Sequence, residues 1–277
     1  MKVLVTGAAG RLGAAVVRCL QDRRVDCLAV DREDFDVRDG AAVHRAVQAY
    51  RPDAIIHCAA YTDVEQAETE PEKCAEVNGM GTLNMVRAAL AVDAKLMYIS
   101  DSTVFSGEGQ QPWEAAERPN ARSVYGLTKA QGEEAICSLM TRYFIVRTTW
   151  LYGGEDDDFV RQITAMANGR NEIAVSGTET STPTLIPELA QRLCDIIATE
   201  RYGVYHAVNE GYCSRAEWAR SILRLTDSRS TVRPVNAPWV AKMPLNGRLS
   251  TASLAQGGFD RLANWEDALT RYLTSER

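Results

Sequence analysis

Tyr125 and Lys129 stand four residues apart in the stretch VYGLTKAQGEEAI (124–136). On a helix that spacing puts both side chains on one face. A phenol titrates at about 10, too high to give up and recover a proton readily at neutral pH, and a nearby ammonium favours the phenolate. Lysine suits that part because it is a compact point charge. Its three rotatable donors can also hold ribose hydroxyls. The chain uses lysine sparingly, five among 31 basic residues. In isolation the pair reads equally well as a surface i,i+4 contact, so its weight comes from what surrounds it.

What surrounds it is a dinucleotide turn. TGAAGRLG (6–13) places Gly7, Gly10 and Gly13 three apart, between an apolar run and a helical pattern. Gly7 permits a tight turn, Gly10 lets a pyrophosphate approach the backbone at a helix N-terminus, and Gly13 lets helix and strand pack closely. Asp31, eighteen residues beyond Gly13, closes the next apolar run. An acid there can bind the adenosine ribose 2′-OH, which favours NADH, while Arg32 leaves room for the 2′-phosphate of NADPH.

The elements that must position these groups alternate in type. Strands are expected at 2–6, 25–31, 54–60, 95–100 and 143–153, and helices at 11–21, 41–50, 72–91 and over the Tyr125–Lys129 stretch. Near-continuous apolar strands between helices imply a parallel sheet covered on both faces. The expected class is therefore α/β, a Rossmann-type doubly wound sheet. Residues 1–150 form the dinucleotide-binding core and 151–277 a smaller, interwoven substrate-binding part, with segments near 176–210 returning to the core. In that second part helices are expected at 159–169, 187–200, 214–225 and 264–276, the third opening with a Ser214/Glu217 capping box, and a strand at 203–209.

Bulk properties narrow the function. The chain has 277 residues, 45% apolar, with a net charge of −6. That balance argues against nucleic acid as a partner. No apolar run reaches the roughly 18 residues of a membrane span. The N-terminus enters a strand directly, without the pattern of a signal peptide. Seven cysteines without a C-x-x-C pair suit a reduced, cytoplasmic protein, and three histidines far apart in sequence offer no metal cluster.

In combination, these motifs resemble the extended short-chain dehydrogenase/reductases, and finer matches resemble the dTDP-4-dehydrorhamnose reductase family. Those matches are RPDAIIHCAAYTDVEQAETEPEKCAEVNGMGTLN (51–84), SVYGLTKAQGE (123–133), VRTTWLYG (146–153), STPTLIPELA (181–190) and PLNGRL (244–249). The resemblance implies NADH- or NADPH-dependent reduction of the keto group of a nucleotide-linked 4-keto-6-deoxy sugar. Tyr125 would be the proton donor, with Lys129 tuning it. Gly7, Gly10, Arg11, Leu12 and Gly13 would hold the pyrophosphate, and Asp36 and Val37 would lie near adenine. Ala59, Ala60, Tyr61 and Ser100 would line the cofactor, Asn78 would brace the sheet edge, and Trp150 would lie against the sugar with Thr149 and Tyr152 flanking it.

The chain departs from that family at three places. SDSTVFSG (100–107) stands where S-T-D-Y-V-F is usual, so the hydroxyl that polarises the carbonyl falls on Asp101. Asp101 is then protonated or turned away, or Ser102 or Ser100 supplies the hydroxyl by a small shift, or the activity is altered; the shift is the favoured reading. Ala14 and Ala15 replace a glutamate that supports a Mg²⁺-dependent dimer in some members, so no metal is expected, and a monomer or a homodimer without that interface is. Met243 stands for a usual arginine, which leaves Arg248 or Lys242 to meet a diphosphate. Two alternatives stay open: a nucleotide-sugar epimerase that retains NAD, and a non-catalytic dinucleotide-binding subunit like the regulatory subunit of methionine adenosyltransferase.

Overall fold

The computed structural model describes residues 1–154, 158–238 and 242–275. β1 (Lys2–Thr6), α1 (Arg11–Asp22), β2 (Asp26–Val30), α2 (Gly40–Tyr50) and β3 (Ala54–His57) open the chain. α3 (Val64–Thr69), α4 (Pro71–Ala75), a π-helical turn (Glu76–Gly81) and α5 (Thr82–Ala91) lead to β4 (Lys95–Asp101), then α6 (Val124–Leu139) and β5 (Tyr143–Thr148). β6 (Leu151–Tyr152), α7 (Phe159–Ala167), β7 (Glu172–Ser176), β8 (Thr180–Ser181), β9 (Thr184–Leu185), α8 (Ile186–Ile197) and β10 (Gly203–His206) follow. The chain closes with β11 (Cys213–Ser214), α9 (Arg215–Leu225), β12 (Thr231–Val235), α10 (Ala252–Gln256) and α11 (Trp265–Ser275).

Six strands make one parallel sheet in the order β10-β5-β4-β3-β1-β2. The order reverses between β1 and β3, which opens a crevice at the carboxyl ends of the strands, where ligands of open α/β sheets bind. The inner strands β1, β3, β4 and β5 bury both faces, and successive residues alternate between them. Val3 and Val5 pack with Val16 of α1 and Leu189 and Leu193 of α8 on one side. Leu4 packs with Val43 of α2, Met85 of α5 and Ile136 of α6 on the other. Each such fully buried aliphatic side chain contributes about 1.5–3 kcal/mol. A third core gathers α7, α9 and α11 around the fully buried Trp218.

The long strand expected at 143–153 is two pieces. Trp150 adopts φ +43°, which turns the chain out of the sheet before Leu151 pairs with Thr184. The strand expected at 54–60 ends at His57, because Ala59 and Ala60 turn into the crevice. The helix expected over 72–91 contains the π-helical turn, and Asn78 within it bonds both backbone groups of Tyr61, Nδ2 to the carbonyl at 3.1 Å and Oδ1 to the amide at 2.8 Å. The Ser214/Glu217 capping box is present in both directions. No helix among the described residues is long and apolar enough to cross a membrane.

Candidate active site

A cavity of about 590 Å³ occupies the crevice, running from the end of β2 past the glycine turn to α6. Gly7 takes φ +65°, and a Cβ there would lie 2.6 Å from the Ala59 nitrogen; a Cβ on Gly13 would lie 2.0 Å from the Gly7 carbonyl oxygen. Only glycine at both positions lets β1, the turn and α1 approach this closely. Gly10 caps α1 with no side-chain bond, and the first turn of α1 holds no acid. Its N-terminal N–H groups and the positive end of the helix dipole therefore suit an anion, with Arg11, Leu12 and Gly13 on the same wall.

At one end lie Asp31, Arg32, Asp36 and Val37, joined by Phe35 and Arg38. Asp31 accepts the Ala9 amide at 2.8 Å, tying the second strand to the glycine turn. Arg38 grips Asp36, with Nη2 2.6 Å from Oδ2 and Nε 3.0 Å from Oδ1, and holds its carboxyl below the usual range. Asn84 of α5 donates to the Val37 carbonyl at 2.9 Å and steadies the turn. Arg38 went unread in the sequence; its signal was a base two residues from an acid beside a candidate adenine site.

At the other end the cavity is lined by Ala59, Ala60, Tyr61, Ser100, Asp101, Tyr125 and Lys129. Ser123 caps α6 by accepting the Gly126 amide at 3.1 Å, so Tyr125 sits in the first turn. The Lys129 ammonium donates to the Ile99 carbonyl at 2.7 Å and lies 4.1 Å from the centre of the Tyr98 ring. Burial pushes its pKa down to about 8, partly opposed by Asp101 and Glu133. Tyr125 is held well above the usual phenol range by burial first and Asp101 second. The lowering expected from Lys129 is not seen, since every cause acting on the hydroxyl raises its pKa, and it stays protonated at neutral pH.

Ser100 and Ser102 are committed elsewhere. Ser100 donates to Glu133 at 2.6 Å, and Glu133 makes a buried pair with Arg147, Nη2 to Oε2 at 2.7 Å. Ser102 donates to Thr149 at 3.1 Å, Thr149 and Ser181 share a 3.0 Å bond, and Ser181 donates to the Gly247 carbonyl at 2.8 Å.

With this geometry in hand, a family model described as the RmlD substrate binding domain matches residues 1–277. A dTDP-4-dehydrorhamnose reductase of Streptomyces griseus is 34% identical, the match covering 96% of this chain and 91% of the relative. The chain belongs to the dTDP-4-dehydrorhamnose reductase family. Among solved structures, a dTDP-4-dehydrorhamnose reductase from Clostridium acetobutylicum superimposes with a TM-score of 0.96 at 32% identity, covering 100% of this chain and 99% of that one. The Bacillus anthracis dTDP-4-dehydrorhamnose reductase, solved in complex with NADP, gives 0.95 at 34% identity, covering 100% and 99%.

Several residues singled out in the sequence lie off the cavity, among them Ser102, Trp150 with its neighbours Thr149 and Tyr152, and Arg248. Ser102 is buried in the hydroxyl chain above. Trp150 stacks on Trp218 with ring centres 5.8 Å apart, and the Arg215 guanidinium sits 4.1 Å from its centre. Arg248 donates to Asn246 at 3.0 Å, beside the bridge that joins Trp113 to Leu249. The favoured small shift, which would let Ser102 or Ser100 replace the missing hydroxyl, is not what the geometry gives, because Ser100 is held by Glu133 and Ser102 by Thr149. Asp101 itself lines the cavity. Cys58, Ile99 and Thr148 also line this end and were not read from the sequence; lying at strand ends, they carry no motif of their own.

Proposed function

We propose that the chain reduces the 4-keto group of a nucleotide-linked 4-keto-6-deoxy sugar with NADH or NADPH. The observation that carries this reading is the convergence of the glycine turn, Asp31, Tyr125 and Lys129 on one cavity. A reduced nicotinamide, when bound, supplies the hydride. The α1 N-terminus receives the pyrophosphate, and Asp31 takes the ribose hydroxyls, which favours NADH. Arg32 and Arg38 stand at the same end and give a 2′-phosphate a landing point, so NADPH is the second cofactor.

Tyr125 donates its proton to the carbonyl oxygen as negative charge develops there. The high pKa of its hydroxyl keeps that proton available through neutral pH. Lys129 places a positive charge beneath the site and stabilises the phenolate that Tyr125 leaves behind. Burial in the crevice strengthens both effects, because water screens them little there. The nucleotide part of the substrate supplies binding energy that holds the ketone against Tyr125.

The test is NADH oxidation with dTDP-4-keto-6-deoxyglucose, with and without a 3,5-epimerase, for the wild type beside Tyr125→Phe. Stoichiometric NADH loss that falls at least about 10²-fold in the variant is the expected result. Turnover of the sugar without net NADH loss would convert the reading to an epimerase. NADH binding with no turnover of either sugar would leave a binding subunit.

A further inference from the structure

We infer that Asp101 works in this reaction as a neutral carboxylic acid, donating a hydrogen bond to the substrate carbonyl oxygen beside Tyr125. This deepens the reading above and rests on it.

Position comes first. β4 ends at Asp101, which pairs in register with Thr148 and lines the cavity together with Tyr125 and Lys129. Its carboxyl has little support for a negative charge. Among the described residues the donor held to it is Thr103, whose amide lies 2.8 Å from Oδ1. Among the described residues no ammonium or guanidinium forms an ion pair with it, and the Lys129 ammonium donates to the Ile99 carbonyl. The titratable groups around it are Lys129 and Tyr125 from α6 and Tyr98 from its own strand. Burial pushes the Asp101 pKa up, with Thr103 and Lys129 only partly offsetting it.

Supply of other donors comes second. Ser100 is held by Glu133 and Ser102 by Thr149. Thr148 also lines the cavity, and its buried hydroxyl has no hydrogen-bond partner among the described residues, so it is a competing donor. Asp101 lines this wall beside Tyr125 and Lys129 and has a polar hydrogen to offer the carbonyl, provided it carries its proton. Charge comes third. An ionised Asp101 would repel the developing oxyanion and oppose the Tyr125 phenolate, whereas the acid form stabilises the first and spares the second.

The step balances without further reagents. As the carbonyl carbon takes up hydride, the C=O π pair moves onto oxygen. The Tyr125 O–H bond breaks and its proton forms the new alcohol O–H, leaving a phenolate. Asp101 keeps its own proton and contributes a hydrogen bond only.

The experiment compares wild type, Asp101→Asn and Asp101→Ala in kcat for NADH oxidation across pH, with NADH affinity as the folding control. Asp101→Ala should lose about 10²- to 10³-fold in kcat while still binding NADH, as removal of an oxyanion donor does. Asp101→Asn, a neutral donor at every pH, should keep most of the rate. It should also lose one of the two ionisations that limit the wild type as pH rises, retaining the one due to Lys129. An Ala variant at wild-type rate, or an Asn variant with both ionisations intact, would overturn the assignment. Infrared difference spectra of wild type against Asp101→Asn read the proton without turnover. A carboxylic-acid C=O band at neutral pH supports the neutral form and its absence refutes it, even should both sugars fail as substrates and sink the broader reading.

Discussion

Replacing Lys129 with methionine should stabilise the fold at neutral pH while disabling the site. The side chain is 2% exposed, and burial lowers its pKa from 10.5 to about 8. That difference corresponds to roughly 3 kcal/mol of stability surrendered to keep a desolvated ammonium. Methionine fills similar volume without charge but leaves the Ile99 carbonyl short of its 2.7 Å donor, a loss of about 1–2 kcal/mol. The net gain at pH 7 is about 1–2 kcal/mol, or roughly 2–8 °C in Tm for a chain of this size. Below pH 8 both folded and unfolded chains hold the proton and the full penalty applies. Between about 8 and 10.5 the unfolded chain holds a proton that the folded chain has released, so wild-type stability rises with pH across that window. The advantage of Lys129→Met should therefore shrink by about 2–3 kcal/mol between pH 7 and 10. Urea unfolding followed by circular dichroism at the two pH values measures it. Wild-type kcat should fall about tenfold from pH 7 to 9 as the ammonium is lost. A variant less stable than wild type at pH 7, with a gap that ignores pH, would show that no desolvated ammonium is held at this position.

The Glu133–Arg147 pair, 4% and 3% exposed in its side chains, offers a second test. Arg147→Met strands a buried carboxylate and should cost about 3–5 kcal/mol, whereas the Glu133→Leu/Arg147→Met double variant should cost less than that single change. Equal losses in calorimetry would count against the pair as a charge pair. Gly13→Ala puts a methyl 2.0 Å from the Gly7 carbonyl, so α1 must move off β1. It should lose about 1–3 kcal/mol of stability together with NADH affinity in a fluorescence titration. Unchanged NADH affinity would remove α1 from the cofactor site.

The inner strands that line the crevice were legible because they bury both faces and so read as near-continuous apolar runs. The glycine turn was legible because close backbone approach leaves no alternative to glycine. β7 and β12, by contrast, are a short parallel pair at the surface, Glu172–Ser176 against Thr231–Val235, with mostly half-exposed or exposed residues on β12. They carry no such run and were missed. Trp150 was read as strand because its neighbours are apolar, and local pattern has no term for a φ of +43° at a residue whose ring stacks on the distant Trp218.

By itself the sequence determined the α/β class, the glycine turn, and the placing of Tyr125 and Lys129 one helical turn apart, since each follows from local spacing and from what a buried strand or a tight turn must be made of. The tertiary structure alone decided which hydroxyls are free. Ser100, Asp101 and Ser102 are neighbours in the chain, yet β4 and the turn after it send the first to Glu133, the second to the cavity and the third to Thr149. The partners that claim the two serines lie 33 and 47 residues away in the chain. Burial likewise sets the pKa values of Tyr125 and Lys129, because desolvation depends on everything packed around a group and not on the residues beside it in the chain.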